Sequence, residues 1–390
     1  MNTIDWENLH KQTIERRRVL HACAETGFAV KNTLHYIKKQ LTAMGYTPQK
    51  CGRAGLIATV GQGKKCLLLR ADIDGLPIKE ETGLDYASKT GNMHACGHDM
   101  HTAMLLSCAQ ALKQSEDKLK NKVKLLFQPA EELLSGAKDC IENGVLETPK
   151  VDAGMMLHML PNLPFPSGTL IFSKGIVAPG ADFFTVKIIG KSTHGASPEK
   201  GVDALSVTAK ILVGLEGICA REFPAFSGTV LTVGSCHAGT VGNVIAGESI
   251  FEGSFRSFDE NLRERTKKRI KEIVQGTAKT YGAKGSVQFT SGCPALKNDE
   301  KWTDFVFSTL KKSLADKVIA PENTQKSVGG SEDFAYFSQM IPSIMIGVSA
   351  GEEKDGYAYP LHHPKVRFDE TAMQNGVLAL YQTATAFYRF

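Results

Sequence analysis

The sequence predicts a mainly parallel α/β sheet flanked by helices, with an inserted α+β unit of ferredoxin-like order. Three observations carry this. Short apolar strand-like runs alternate with amphipathic helical stretches up to about residue 160 and again near the end, which argues for parallel strands covered on both faces. The middle of the chain instead orders strand, helix, two strands, helix, strand, a ferredoxin-like unit. The length, 390 residues, exceeds one ordinary domain at ~150 residues each.

Residues 6–45 read as one long helix with room for a single break. Val30, Leu34, Ile37 and Leu41 recur at helical spacing, and Gly45 ends the pattern. Strands follow at 55–60 and 65–74, then a helix at 99–113. A strand at 122–129, a helix at 131–144 and a strand at 152–159 complete the first part. Near the other end, 342–351 reads as a strand and 369–388 as a closing helix. In the middle, strands fall at 181–190, 228–236, 247–258 and 285–290, with helices at 203–218 and 259–281. Ser257 and Glu260 have the spacing of a capping box for the second of these helices. Gly175, Pro179 and Gly180 mark one junction, Gly292 and Pro294 the other. A second domain at 181–293 is thus expected, inserted into a first formed by 1–180 and 294–390.

Composition sets the class. The chain is 42% hydrophobic and 22% charged, which excludes a disordered polymer. Nine cysteines stand at irregular spacings, unlike a disulfide framework, so a reducing, cytoplasmic setting is expected. The first residues show no basic stretch followed by an apolar one, so no secretory signal is expected. The apolar runs are too short to cross a bilayer, so no membrane partner is expected. The net charge of +5 is a mild excess. The densest basic stretch, 261–273, carries interleaved glutamates at helical spacing. It reads as a solvated helix face, and no nucleic-acid partner is expected.

The chemistry gathers where strands end. One strand runs into Asp72 and Asp74, another into Glu131 and Glu132, a third into His158, and a fourth toward a loop with His362 and His363. In open α/β sheets the site lies beyond the carboxyl ends of the strands. The sharpest segment is "NMHACGHDMHTAM" at 92–104, with His94, Cys96, His98 and His101 within eight residues. Cys96 and His98 flank a glycine, whose backbone freedom lets both side chains face one ion. Thiolate and imidazole are preferred zinc ligands. His94 and His98 have zincin spacing, but no glutamate stands between them. Glu131 and Glu132 could divide two roles, one binding metal and the other accepting a proton. They equally suit the first turn of a helix.

The segments "RADIDGLP", "HACGHDMHTAMLL", "LLFQPAEE", "LHMLPNLPFPSG", "GKSTHGASPEKGVDAL", "GNVI", "GSFRSF", "GGSEDFAYF" and "LHHP" occur in this order. Together they resemble the co-catalytic metallohydrolase family of aminoacylases and glutamate carboxypeptidases. Within it they are similar to the amidohydrolase subgroup of hippurate hydrolase, auxin-conjugate hydrolases and N-acetyldiaminopimelate deacetylase. The resemblance runs from about residue 16 to the C-terminus.

It implies two divalent metal ions per subunit, Zn or Mn, with Co or Ni fitting the same donors. The ligands fall on Cys96, His98, Glu132, His158 and His362, and the catalytic base on Glu131. His362 is preferred to His363 because the motif is His-x-Pro. Asp72 and Asp74 match a motif that supplies ligands in other branches. Arg70 here replaces its histidine, so both aspartates are expected to support the ligands and not to bind metal. His194 of "STHGA" would act in the partner subunit's active site, polarising the scissile carbonyl. Asn243 and Arg256 would hold a substrate carboxylate, which an arginine fork suits. Gly329 and Gly330 would allow close backbone approach in the pocket.

The resemblance implies that 181–293 is a lid/dimerisation domain and that 1–180 and 294–390 form the catalytic domain, so that the protein is a homodimer through the lid that cleaves small N-acyl amino acids, N-acetyl or aromatic N-acyl. Metal-dependent dipeptide or carboxypeptidase chemistry is the alternative within the same site, and a non-catalytic dimeric binding protein is the alternative outside enzymology. One departure is visible: Ala24 stands where many members have proline, and a later glutamate is absent. That region is expected to bear on helix packing and not on metal binding.

Overall fold

The computed structural model describes residues 4–322 and 330–390; Gly329 lies outside them. The chain divides into two compact units. One comprises Met1–Val177, Lys297–Gln325 and Tyr336–Phe390, the other Ala178–Leu296 and Lys326–Ala335.

The first unit is built on an eight-stranded sheet. In sheet order its strands are Gln49–Cys51, Gly55–Val60, Lys122–Gln128, Cys66–Asp72, Ala153–Leu160, Ser343–Ser349, Leu170–Ser173 and Val318–Glu322. The four central strands pair in parallel, and the antiparallel pairings lie toward the edges. Every residue of Cys66–Asp72 is buried, as a strand covered on both faces must be. Helix His98–Gln114 is almost wholly buried. It packs on Cys66–Asp72 and on helices Trp6–Ala22 and Met373–Ala386. Such burial explains why Met100, Ala103, Met104, Leu105, Leu106, Ala109 and Leu112 are not confined to a single stripe.

Of two helical expectations, one takes its allowed break and the other changes. Residues 6–45 form two helices, Trp6–Ala22 and Lys31–Ala43. Between them Thr26 pairs with Gly75, and the Glu25 carboxylate accepts the N–H groups of Asn32 and Thr33 at 3.1 and 2.9 Å. That carboxylate caps the second helix. The expected helix at 131–144 shortens to Gly136–Glu142. Residues 131–134 form a turn between Ala130 (φ 57°) and Leu134 (φ 50°).

The second unit is a four-stranded antiparallel sheet in the order Lys284–Cys293, Gly180–Ile189, Glu248–Ser257, Val230–Ala238. Helices Ala204–Gly217 and Glu260–Thr280 cover one face, burying Phe184, Val186, Phe251, Phe255, Ile270 and Val274. This is the ferredoxin-like order expected. The second helix is capped by Asp259, whose Oδ1 accepts the N–H groups of Asn261 and Leu262. Ser257 Oγ accepts from Asp259 N–H instead, so the Ser257/Glu260 pattern is no capping box.

Candidate metal centre

The turn that carries Cys96 and His98 depends on Gly97. Its φ is +83°, and an added Cβ would stand 3.2 Å from the Phe368 ring and 3.3 Å from Met159 Cβ. Both the backbone and the space select glycine. The turn leads directly into helix His98–Gln114. His98 Nδ1 donates to the Asp74 carbonyl oxygen at 2.8 Å, which turns Nε2 toward the neighbouring carboxylates. That nitrogen is buried and has no hydrogen-bond partner among the described residues. It lies 3.7 Å from Asp72 Oδ2 and 3.9 Å from both Glu131 Oε2 and Glu132 Oε1.

His158 is anchored in the same way. Its Nδ1 donates to the Met159 carbonyl at 3.0 Å, and Nε2 stands 3.6 Å from Cys96 Sγ. Two ligands on one tetrahedral Zn²⁺, bound at ~2.0 and ~2.3 Å, would lie roughly 3.3–3.7 Å apart. The Cys96–His158 spacing fits. So does the 3.5 Å from His362 Nε2 to Glu132 Oε1. His362 is half exposed at a positive φ of 65°, and its N–H donates to Ala95 O at 2.9 Å. That bond ties the C-terminal loop to the Cys96 turn. His363 is engaged elsewhere: its ring stacks on Tyr359 at 4.4 Å, and its Nδ1 accepts Lys365 N–H.

Glu131 and Glu132 are held by Asp74. Its Oδ1 accepts Glu131 N–H at 3.0 Å and its Oδ2 accepts Glu132 N–H at 3.4 Å. The pair therefore sits on a clamped turn, and the reading as a helix N-terminus fails. Asp72 is occupied differently. Its Oδ1 accepts His101 Nδ1–H at 2.6 Å and its Oδ2 accepts from Arg70 Nη1 at 2.7 Å. His101 Nε2 accepts Met159 N–H at 2.8 Å, so neither ring nitrogen of His101 is available to an ion.

Electrostatics follow the same division. Burial opposes charge on Asp72, but His98, His101 and Arg70 outweigh it and hold its carboxyl well below the usual range. Burial pushes the Cys96 thiol up to about 12. Burial, followed by His101, takes His158 down to about 3. A cation would reverse the cost at Cys96, since a metal-bound thiol is deprotonated. Buried His94, whose ring nitrogens have no hydrogen-bond partner among the described residues, is held down to about 4 by burial.

The donor atoms form overlapping sets, each within 4.8 Å: Cys96, His98 and His158; Cys96, Glu132 and His362; and His98, Glu131 and Glu132. Cys96 belongs to the first two. All five residues expected as ligands, and the expected base, thus converge in the first unit. The buried His98 Nε2, with the carboxylates of Asp72, Glu131 and Glu132 at 3.7–3.9 Å, favours a positive charge there, either a proton or a metal cation.

The other expected site residues lie in the second unit. His194 is exposed, pairs with Val244, and accepts Ala196 N–H on Nδ1 at 3.0 Å. Asn243 is exposed, and its carbonyl accepts Gly195 N–H at 2.8 Å. Arg256 Nη1 donates to Ser331 Oγ at 2.9 Å. Gly330 has open space where a Cβ would stand, so no close approach within the chain requires its glycine.

Two contacts were not legible in the motifs. Gly75 N–H donates to Glu25 O at 2.7 Å, and Ala130 N–H donates to Gly27 O at 3.1 Å. The departing segment 24–27 is therefore a strap beside Asp74 and Glu131, and it bears on the site after all. Gly27 is the signal that such a strap exists: its φ is +55°, and an added Cβ would stand 2.8 Å from Leu133 Cδ1.

The family model described as Peptidase family M20/M25/M40 matches residues 68–386. An N-acetyl-L-cysteine deacetylase of Bacillus subtilis (strain 168) is 37% identical over 98% of this chain and 90% of its own. Thermostable carboxypeptidase 1 of Saccharolobus solfataricus is 33% identical over 98% of this chain and 97% of its own. The crystal structure of the Bacillus subtilis YXEP protein, a dinuclear metal binding peptidase of the M20 family, superposes with a TM-score of 0.79. It is 29% identical, covering 98% of this chain and 99% of the other.

Proposed function

The chain belongs to peptidase family M20/M25/M40, and from that premise we propose that it is a two-metal amidohydrolase of N-acyl amino acids. The observation that carries this is the pair of donor sets that share Cys96. Cys96, His98 and His158 would hold one divalent ion; Cys96, Glu132 and His362 would hold the other. A thiolate with imidazoles suits Zn²⁺, and Mn²⁺, Co²⁺ or Ni²⁺ can use the same donors. The chemistry such ions supply is activation of a water and polarisation of an amide carbonyl.

The chain's own residues do the rest. Glu131, on its clamped turn, takes the proton from the attacking water and returns it to the leaving amine. Asp72 and Asp74 orient the ligand shell, Asp72 through His101 and Asp74 through His98 and the glutamate turn. Arg256 and Asn243 hold the free carboxylate of the substrate, and the guanidinium fork suits it. His194 steadies the developing oxyanion from a partner subunit. The outer strand Val230–Ala238 leaves one edge open within its sheet and carries exposed Val230, which supports a homodimer formed there.

The deacetylase relative supports an acyl substrate, and the carboxypeptidase relative supports a peptide. Hydrolysis of N-acetyl and N-benzoyl amino acids and of dipeptides, with metal content measured in parallel, separates the two. We expect about two ions per chain and chelator-sensitive release of amino acid from the N-acyl set. Preference for dipeptides would transfer the assignment to the peptidase reading, and metal-independent hydrolysis would sink both.

A further inference from the structure

Behind the turn that presents Cys96 and His98 lies a buried charge cluster for which the proposed chemistry has no use. Asp99 is fully buried on the first turn of helix His98–Gln114. Its Oδ2 accepts from Arg17 Nε at 2.8 Å and from His21 Nδ1 at 2.9 Å. His21 Nε2 stands 3.1 Å from both oxygens of Glu80. Glu80 is itself fixed by Ser88 N–H at 2.7 Å and by the Thr82 hydroxyl. Arg17 Nη1 donates further to Tyr86 Oη at 2.6 Å and Glu370 Oε1 at 2.9 Å.

Each ring nitrogen of His21 faces carboxylate oxygen. An ionised carboxylate only accepts hydrogen bonds, so both nitrogens carry protons and His21 is an imidazolium. Burial works against that charge, and Arg17 repels it. Asp99 and Glu80 outweigh both and raise its pKa to about 9. A buried ion cluster of this kind is a poor source of stability, because apolar packing of the same volume commonly does as well. What it provides is fixed direction. It ties helix Trp6–Ala22, residues 80–88 and Glu370 to the residue next to His98.

We infer that Arg17 and the imidazolium of His21 are positioning residues of the metal centre, gripping Asp99 and thereby fixing the turn that presents Cys96 and His98. This rests on the two-metal reading above.

The test uses the full chain and His21→Gln. Zn²⁺ affinity is measured by competition with a chromophoric chelator, and the Co²⁺-loaded absorption spectrum and circular dichroism are recorded. We expect native circular dichroism, Zn²⁺ affinity lower by roughly tenfold or more, as for other groups that orient ligands, and an altered Co²⁺ spectrum. A lower melting temperature with unchanged affinity and Co²⁺ spectrum would show a purely structural cluster and overturn the inference. If His21→Gln does not fold, Glu80→Gln is the second variant; weakened Zn²⁺ binding supports the inference and wild-type binding overturns it. Nitrogen NMR of wild-type histidines at neutral pH should show both His21 ring nitrogens protonated; a neutral ring overturns it. Failure of the wild-type chain to bind Zn²⁺ at all would instead remove the two-metal reading.

Discussion

The carboxylate of Asp74 holds the backbone of Glu131, accepting its N–H at 3.0 Å. The next N–H, of Glu132, is held by the other oxygen at 3.4 Å. Asp74 also offers its carbonyl to His98 Nδ1 at 2.8 Å. One residue therefore sets the direction of the proposed base and of one proposed ligand without touching substrate.

Asp74→Ala should keep the fold and lose alignment. The His98 contact survives, since it uses the backbone, while the Glu131–Glu132 turn is released. We expect kcat to fall by ~10–100-fold, the scale for groups that orient a metal shell, with KM nearly unchanged. Steady-state kinetics at fixed metal loading check this; a change confined to KM would contradict the clamp.

Glu131→Gln retains shape and hydrogen bonding but cannot accept a proton. Metal content should stay near the wild-type value while kcat drops by at least ~10²-fold, the range for removal of a general base. Metal analysis and turnover must be read on the same sample. Near-native turnover would reassign the base.

Gly97→Ala tests the turn itself. The substitution places a Cβ at φ +83°, 3.2 Å from Phe368. Backbone strain of this kind costs ~1–3 kcal/mol, and relief would move Cys96 relative to His98. Chemical denaturation should show the loss of stability, and Zn²⁺ titration should show weaker binding than in the wild type.

Legibility in the sequence followed locality. Cys96 and His98 were readable because glycine and two ligand types stand in three consecutive positions. Glu131 and Glu132 were readable as a pair, but their turn was not, because Gly27 and Asp74 hold it from distant parts of the chain. A single break within 6–45 was legible, but its place after Ala22 was not, for a similar reason. Ala24 is no helix breaker, and the chain turns there because Glu25 and Thr26 bond to Gly75, Asn32 and Thr33. His21 and Asp99 are 78 residues apart in sequence, and no periodicity or motif couples them. Local ligand spacing is written into short segments; the supports that aim those ligands are tertiary.

The charge on His21 predicts a pH dependence of stability with a definite sign. Its folded pKa is raised from 6.5 to about 9, with burial opposing the rise and Asp99 then Glu80 producing it. A group raised on folding stabilises fully below its unfolded pKa, and that contribution is lost as pH climbs through the folded one. Asp99, held below the usual carboxylate range by Arg17 and His21 against its burial, has the opposite sign and weakens the fold only in acid. The difference in Tm between wild type and His21→Gln should therefore be largest below about pH 6.5 and shrink as pH rises to about 9. Thermal melts of both proteins across that window measure it. A difference that stays constant would mean that His21 is neutral, and a difference that grows with pH would mean that its charge destabilises the fold.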